Sequence, residues 1–188
     1  MSEPKRSLPT KLECSEFTLF IDRDGVINEP IVDDYAKTPE DFVFCEGAIK
    51  ALGELKQLFA RVILVTNQQG VHRQVMSEKD LENVHLKMYN GLKDSGIEYF
   101  DAAFFAPYLK TVNHGWRKPS IGMLEKAKSY FPSIDSSKCI MVGDSPGDMA
   151  LADSFGAIKA KISNPQFSFD NQDYEFKNLS EFVSFLSK

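Results

Sequence analysis

Two carboxylates one residue apart, Asp22 and Asp24, stand at the polar end of an apolar run, Phe17–Ile21, in the string FTLFIDRDG. If the backbone stays extended there, the two-residue side-chain period points both carboxylates the same way. Carboxylates sharing one cleft repel unless a cation lies between them or they share a proton. Hard oxygen ligands of this kind suit Mg²⁺. Gly25 follows and permits backbone conformations barred to other residues. A calcium loop is a competing reading, but an EF-hand starting at Asp22 would need glycine where Ile27 stands and glutamate where Asp33 stands. The bland alternative is a strand-end turn.

Three further clusters bear on that choice. Thr66 and Asn67 close a second apolar run, Val62–Val65. Thr66 offers a hydroxyl and the neighbouring amides can bind an anion; taken alone, the pair is a turn or a helix cap. Arg117 and Lys118 precede Pro119. One of these cations could neutralise a phosphoryl oxygen, or both could be solvated surface charges. Asp144 and Asp148, in GDSPGDM, follow another apolar run and alone would read as a strand-to-helix cap. Together the clusters supply carboxylate, hydroxyl, cation and carboxylate, each after its own strand or loop. Four coincidences in one chain favour the functional reading.

The elements that must position these groups alternate along the chain. Strands are expected at Phe17–Ile21, Val62–Val65, Ala102–Phe105, Cys139–Val142 and Ala157–Ile162. Continuous apolar runs fit strands buried on both faces. Helical spacing appears over 46–59, from Ser77 through Leu81, Val84, Met88 and Leu92, from Pro119 to about Phe131, and over Met149–Phe155. Ser77 with Asp80 resembles a capping box, and a last short helix is expected with Ser180 as its cap. Strands separated by helices imply parallel crossovers: an α/β three-layer sandwich around a parallel sheet of about five strands. Ligands sit beyond the carboxyl ends of such strands, where the polar clusters fall.

Residues 1–15, polar with two prolines, are expected to be a mobile N-terminal tail, leaving 16–188 as a single domain. The 188 residues are 43% hydrophobic and 26% charged, which is globular composition, and the net charge is −5. An acidic chain makes a poor nucleic-acid or anionic-membrane binder. No run approaches the roughly 18 apolar residues of a membrane span. Cys14, Cys45 and Cys139 are an odd, scattered set, which points to a reducing, cytoplasmic compartment. The sequence carries no signal of oligomeric state.

On DRDGVIN, VTNQQG, RKP and GDSPGDM, in that order over about residues 17–162, the chain resembles the haloacid-dehalogenase superfamily of aspartate-nucleophile phosphohydrolases. DRDG followed by IN, TNQ-x-G with Arg73, and RKP with Gly122 are similar to the small branch containing heptose bisphosphate and histidinol-phosphate phosphatases. The resemblance implies a Rossmann-like sheet with no large cap domain. It implies Asp22 as nucleophile, Asp24 as general acid and then base, and Thr66 and Lys118 as holders of the transferring phosphoryl group. Mg²⁺ would be held by Asp22, the Asp24 main-chain carbonyl and Asp144, with Asp148 supporting the metal site from behind. Arg117 would touch the distal part of a small phosphorylated substrate, a sugar phosphate such as a heptose bisphosphate, with Asn67, Arg73 and Tyr35 as further substrate contacts. Alternatives within the resemblance are a histidinol-phosphate or polynucleotide 3′-phosphatase, and a catalytically silent binding protein. Retention of Asp22, Asp24, Thr66, Lys118 and Asp144 together argues against silence.

One segment departs from that branch. Heptose phosphatases usually carry a Cys/His zinc loop before RKP, but here the segment reads FFAPYLKTVNHGWRKP. Ala106, Tyr108 and Trp116 occupy the ligand positions and His114 stands alone. One histidine cannot build a tetrahedral site, so no zinc and a differently shaped loop are expected. Gln69 and Gln74 also replace a small residue and a glycine common there. His72, His114 and Trp116 are weaker candidates for ligand contact, His85 reads as a half-exposed helix residue, and Phe42 and Phe44 read as flap packing.

Overall fold

The computed structural model describes residues 6–98 and 100–188. β1 (Thr18–Ile21) is buried along its whole length. β2 (Arg61–Asn67) lies on one side of it and β4 (Cys139–Gly143) on the other; β3 (Ala102–Ala106), β5 (Ile158–Ile162) and β6 (Tyr174–Phe176) extend the sheet in the order β3-β2-β1-β4-β5-β6. Every pair is parallel, so most connections must be helical crossovers. These are α1 (Ala48–Leu58), α2 (Glu78–Asp94), α3 (Gly122–Tyr130) and α4 (Pro146–Phe155), with α5 (Leu179–Leu186) closing the chain.

Alternation along the strands feeds two cores. Leu19, Ile21, Val62 and Leu64 pack with Leu52, Leu55, Val84, Met88 and Phe182 of α1, α2 and α5. Phe20, Ile63, Val65 and Met141 pack with Met123, Leu124, Leu151 and Phe155 of α3 and α4. Helices on both faces of a parallel sheet make the three-layer sandwich that the alternating elements imply.

The sheet has six strands, one more than expected. β6 is three residues long in a polar and aromatic stretch without period, and only its pairing, Ala160 with Tyr174 and Ile162 with Phe176, identifies it. Part of the N-terminal segment lies against the body where it is described. Cys14 is fully buried in the first core and Leu8 packs against the same core. The Leu8 N–H donates to the Tyr174 hydroxyl at 3.2 Å. Two apolar anchors suffice to lay the polar segment on the body; residues 1–5 lie outside the described residues. Helix ends moved as well. α3 begins at Gly122, after a turn, α4 already begins at Pro146, and α5 is capped by Asn178, whose side chain accepts from the Glu181 N–H at 2.9 Å, rather than by Ser180.

Between β1 and α1 the chain forms a flap pinned by the isolated bridges Asp24–Asn28 and Asn28–Phe44. Phe42 and Phe44 meet edge to face at 5.0 Å there, so they serve as flap packing. No cap domain stands among the described residues. No described helix is long and apolar enough to cross a membrane.

Candidate active site

The carboxyl ends of β1, β2 and β4 meet the loops after β3 and β5 in a cleft of about 230 Å³. Asp22, Asp24, Thr66, Lys118 and Asp144 line it, joined by Tyr35, Asn67 and Arg117. Residues drawn from five separate stretches of sequence thus share one wall, as the sheet rule requires.

Lys118 is buried among acids. Its Nζ lies 2.8 Å from Asp22 Oδ1 and 2.7 Å from Asp148 Oδ1, and donates to the Val65 carbonyl at 3.0 Å. Burial alone would lower its pKa; Asp148 and Asp22 outweigh that and raise it, so Lys118 is a fixed cation. Asn67 places it. The Asn67 carbonyl accepts from the Lys118 N–H at 3.0 Å and its amide donates to the Lys118 carbonyl at 3.1 Å. Asn67, expected as a substrate contact, lines the cleft while its amide bonds the backbone of the cation.

Asp24 has a different environment. Arg23 Nη2 reaches its two oxygens at 2.9 and 3.0 Å, and Asn28 Nδ2 and Gln68 Nε2 donate to it at 3.0 and 2.8 Å. Burial would raise its pKa, but the Arg23 charge and these hydrogen bonds outweigh burial and lower it. In the ligand-free protein Asp24 is therefore ionised.

Asp22, Asp144 and Asp148 are all buried, and one oxygen from each lies within 4.8 Å of the others. Asp148 is held by the Ser145 hydroxyl at 2.6 Å and by Lys118 and does not line the cleft. Asp144 accepts from Asn164 Nδ2 at 2.5 Å. A Cβ on Gly25, where φ is +79°, would fall 1.9 Å from Asp144 Oδ2; the glycine after Asp24 lets β4's carboxylate approach. A Cβ on Gly143 would fall 2.3 Å from that of Asp148. Desolvation, only partly offset by Lys118, pushes Asp22 up to about 7; desolvation and the charges of Asp22 and Asp148 push Asp144 up to about 8. Buried acids facing one another with a single ammonium among them have the hard-oxygen chemistry of a Mg²⁺ site.

These raised values have a consequence for stability. The folded chain retains protons that the unfolded chain releases above about pH 4, so stability contributed by those protons is lost as pH rises through 7–8. A cation bound at the site replaces them. The metal-free protein should melt at lower temperature at pH 8 than at pH 5.5, and the gain in Tm from millimolar Mg²⁺ should be larger at pH 8. Thermal scans with an equal Mg²⁺ gain at both pH values would contradict the site.

The remaining expected residues divide. Arg117 lines the cleft, half-buried, with Nη1 donating to the Tyr108 carbonyl at 3.1 Å. Tyr35 lines it too, its hydroxyl accepting from Gln69 at 2.8 Å. Arg73 is exposed and not in the wall; it lies over the Tyr35 ring at 5.9 Å, so it reaches the site through Tyr35. His72 is exposed outside the wall, and His85 sits in α2 beside the Phe105 ring. Gln74 occupies a left-handed conformation, φ 57°, where glycine is favoured. In the loop before Arg117, Tyr108 and His114 stack at 3.5 Å and Trp116 Nε1 donates to the Phe105 carbonyl at 2.8 Å. Sequence reasoning missed Arg23, Gln68, Asn164 and Phe167. Asn164 and Phe167 follow β5, so the strand-end rule that found the others could have found them.

Fold and site together define a phosphatase of the haloacid-dehalogenase type. Residues 19–184 match the family described as polynucleotide kinase 3 phosphatase, and the chain belongs to that family, within the haloacid-dehalogenase phosphatases. It is 32% identical over 172 residues to a D-glycero-alpha-D-manno-heptose-1,7-bisphosphate 7-phosphatase of Mycobacterium tuberculosis, covering 89% of this chain and 90% of that one. It is 36% identical over 171 residues to the histidine biosynthesis bifunctional protein HisB of Campylobacter jejuni, covering 90% of this chain but 47% of that longer protein. The D,D-heptose 1,7-bisphosphate phosphatase of B. bronchiseptica, whose crystal structure contains magnesium and phosphate, superimposes with a TM-score of 0.81 at 27% identity, over 90% of this chain and 97% of that one. The protein is a phosphatase.

Proposed function

We propose that the protein hydrolyses a small sugar phosphate, with Mg²⁺, through an aspartyl-phosphate at Asp22. The observation that carries this is the Asp22 carboxylate 2.8 Å from a fixed, buried Lys118 ammonium, beside Asp144 at the mouth of the sheet. Asp22, Asp144 and the Asp24 main-chain carbonyl would hold the metal, which supplies positive charge to a phosphoryl dianion.

Asp22 attacks phosphorus, and the bond to the alcohol oxygen breaks. Lys118 and Thr66 hold the phosphoryl oxygens as charge develops. Asp24 gives the departing alkoxide a proton and later takes one from the water that cleaves the acyl phosphate. Because Asp24 is ionised in the free protein, it must take up its proton as the anionic substrate arrives. Asn67 acts on this chemistry by placing Lys118.

The sugar class is supported by the heptose phosphatases among the relatives and by a second cavity of about 290 Å³. It adjoins the cleft, shares Arg117 with it, and adds Lys110 and His114. A cationic annex of this kind suits a second phosphate on a short substrate. A net charge of −5 opposes a polynucleotide substrate despite the family's description. The stack of Tyr108 on His114 and the Trp116 hydrogen bond support a loop that closes without zinc. Unpaired Cys14, Cys45 and Cys139 support a cytoplasmic setting.

The test is a panel of sugar mono- and bisphosphates, histidinol phosphate and 3′-phosphorylated oligonucleotides, assayed with Mg²⁺. A sugar bisphosphate should give the highest kcat/KM. Arg117→Ala should lower that value by about 10–100-fold while p-nitrophenyl phosphate changes little. Preference for the oligonucleotide would overturn the substrate class, and equal loss on both esters would move Arg117 into the chemical step.

A further inference from the structure

Arg23 and Gln68 are fully buried and have no part in the mechanism above, yet they form the floor under two of its groups. Arg23 Nε and Nη2 grip Asp24 at 2.9–3.3 Å, and Nη2 also donates to Gln68 Oε1 at 3.2 Å. With its carbonyl turned to the guanidinium, Gln68 aims its amide nitrogen the other way. That nitrogen donates to Asp24 Oδ2 at 2.8 Å and to Thr66 Oγ1 at 2.9 Å.

Each bond has a chemical effect. Asp24 is pinned at both oxygens, Oδ1 by Arg23 and Asn28 and Oδ2 by Gln68 and Arg23, while its side chain remains 37% exposed toward solvent. Thr66 accepts from behind, so its single hydroxyl proton is free to turn into the cleft. The Gln68 N–H donates to the Ala106 carbonyl at 2.7 Å, tying this floor to the end of β3.

We propose that Gln68, backed by Arg23, is a positioning residue that sets the direction of the Asp24 carboxylate for proton transfer. This rests on the reading of Asp24 as acid and base. Proton transfer demands a heavy-atom separation of about 2.6–3.2 Å, and a displacement of about 1 Å can cost roughly 10² in rate.

The experiment compares kcat/KM, which reports the steps through phosphorylation, for p-nitrophenyl phosphate and phenyl phosphate with Mg²⁺. The two esters have similar shape, but phenoxide is the more basic leaving group and depends more on the acid. Gln68→Met should lower phenyl phosphate turnover by about 10–100-fold and p-nitrophenyl phosphate by less than about threefold, which also shows that the variant is folded. Arg23→Lys keeps the buried charge but loses the fork. It should show the same split, and it decides the matter if Gln68→Met does not fold. Asp24→Asn on the same pair separates the two claims. A split there with equal losses, or none, in the Gln68 and Arg23 variants overturns the positioning role alone. No split in Asp24→Asn overturns the acid role and the positioning role with it. In the double variant Asp24→Asn with Gln68→Met, the phenyl phosphate loss should not exceed that of Asp24→Asn by more than about twofold; full additivity would mean that Gln68 acts elsewhere.

Discussion

Asp22→Asn should leave the fold intact and abolish turnover, with residual activity at least about 10⁴-fold below wild type, as removal of a covalent nucleophile does elsewhere. The fold should survive because burial already pushes the Asp22 carboxyl up to about 7. Near neutral pH and without metal, the native group is thus often protonated, and asparagine is its close neutral mimic. Lys118 keeps Asp148 at 2.7 Å as a counter-ion in the variant. The stabilisation by Mg²⁺ at pH 8 should shrink, because one ligand oxygen has lost its charge. Circular dichroism and steady-state assays on the same preparation make the comparison. Turnover within about tenfold of wild type would remove Asp22 from the chemistry.

Lys118→Met should damage both stability and catalysis. The substitution keeps the length of the stem but strands Asp22 and Asp148, both buried, without a cation. Breaking a buried ion pair from one side costs about 3–5 kcal/mol. The sign with pH follows from the acids. Lys118 holds the Asp22 carboxyl down, and even beside that ammonium its folded pKa is raised to about 7; at pH 5 Asp22 is therefore protonated and escapes the penalty, which grows as pH rises through that value. Urea denaturation should therefore show a larger loss at pH 8 than at pH 5. Turnover should fall by about 10²–10³, the cost of removing one fixed donor from a developing anion. A variant as stable as wild type at pH 8 would mean that Lys118 is a surface charge.

Much of this architecture is legible in the sequence because strand ends in a parallel sheet are marked by an abrupt change of residue type. FTLFI gives way to DRDG, VILV to TNQQG, and CIMV to GDSPGD; each boundary marks both a strand and a site residue. The weaker readings fell where no such contrast exists. β6 is a three-residue edge strand in a polar stretch and is defined by pairing alone. Leu8 and Cys14 anchor a segment whose composition reads as a tail. Arg23 lies between the two aspartates, but period-2 reasoning turns it away from them. In the structure its guanidinium folds back onto Asp24, a tertiary choice that spacing cannot show. Gln68 gives no signal beyond its place after Thr66, and the bond from Asn67 to the Lys118 backbone crosses 51 residues, which no local pattern shows.

The most direct test is chemical trapping of the covalent intermediate. The enzyme with Mg²⁺ is mixed with phosphatase substrate, acid-quenched within milliseconds, reduced with borohydride and digested. An aspartyl phosphate is reduced to homoserine, so homoserine should appear at position 22 in the peptide containing FIDRDG, and it should be absent from Asp22→Asn. Covalent phosphate recovered at any other residue, or rapid turnover with no acyl phosphate at Asp22, would contradict the mechanism.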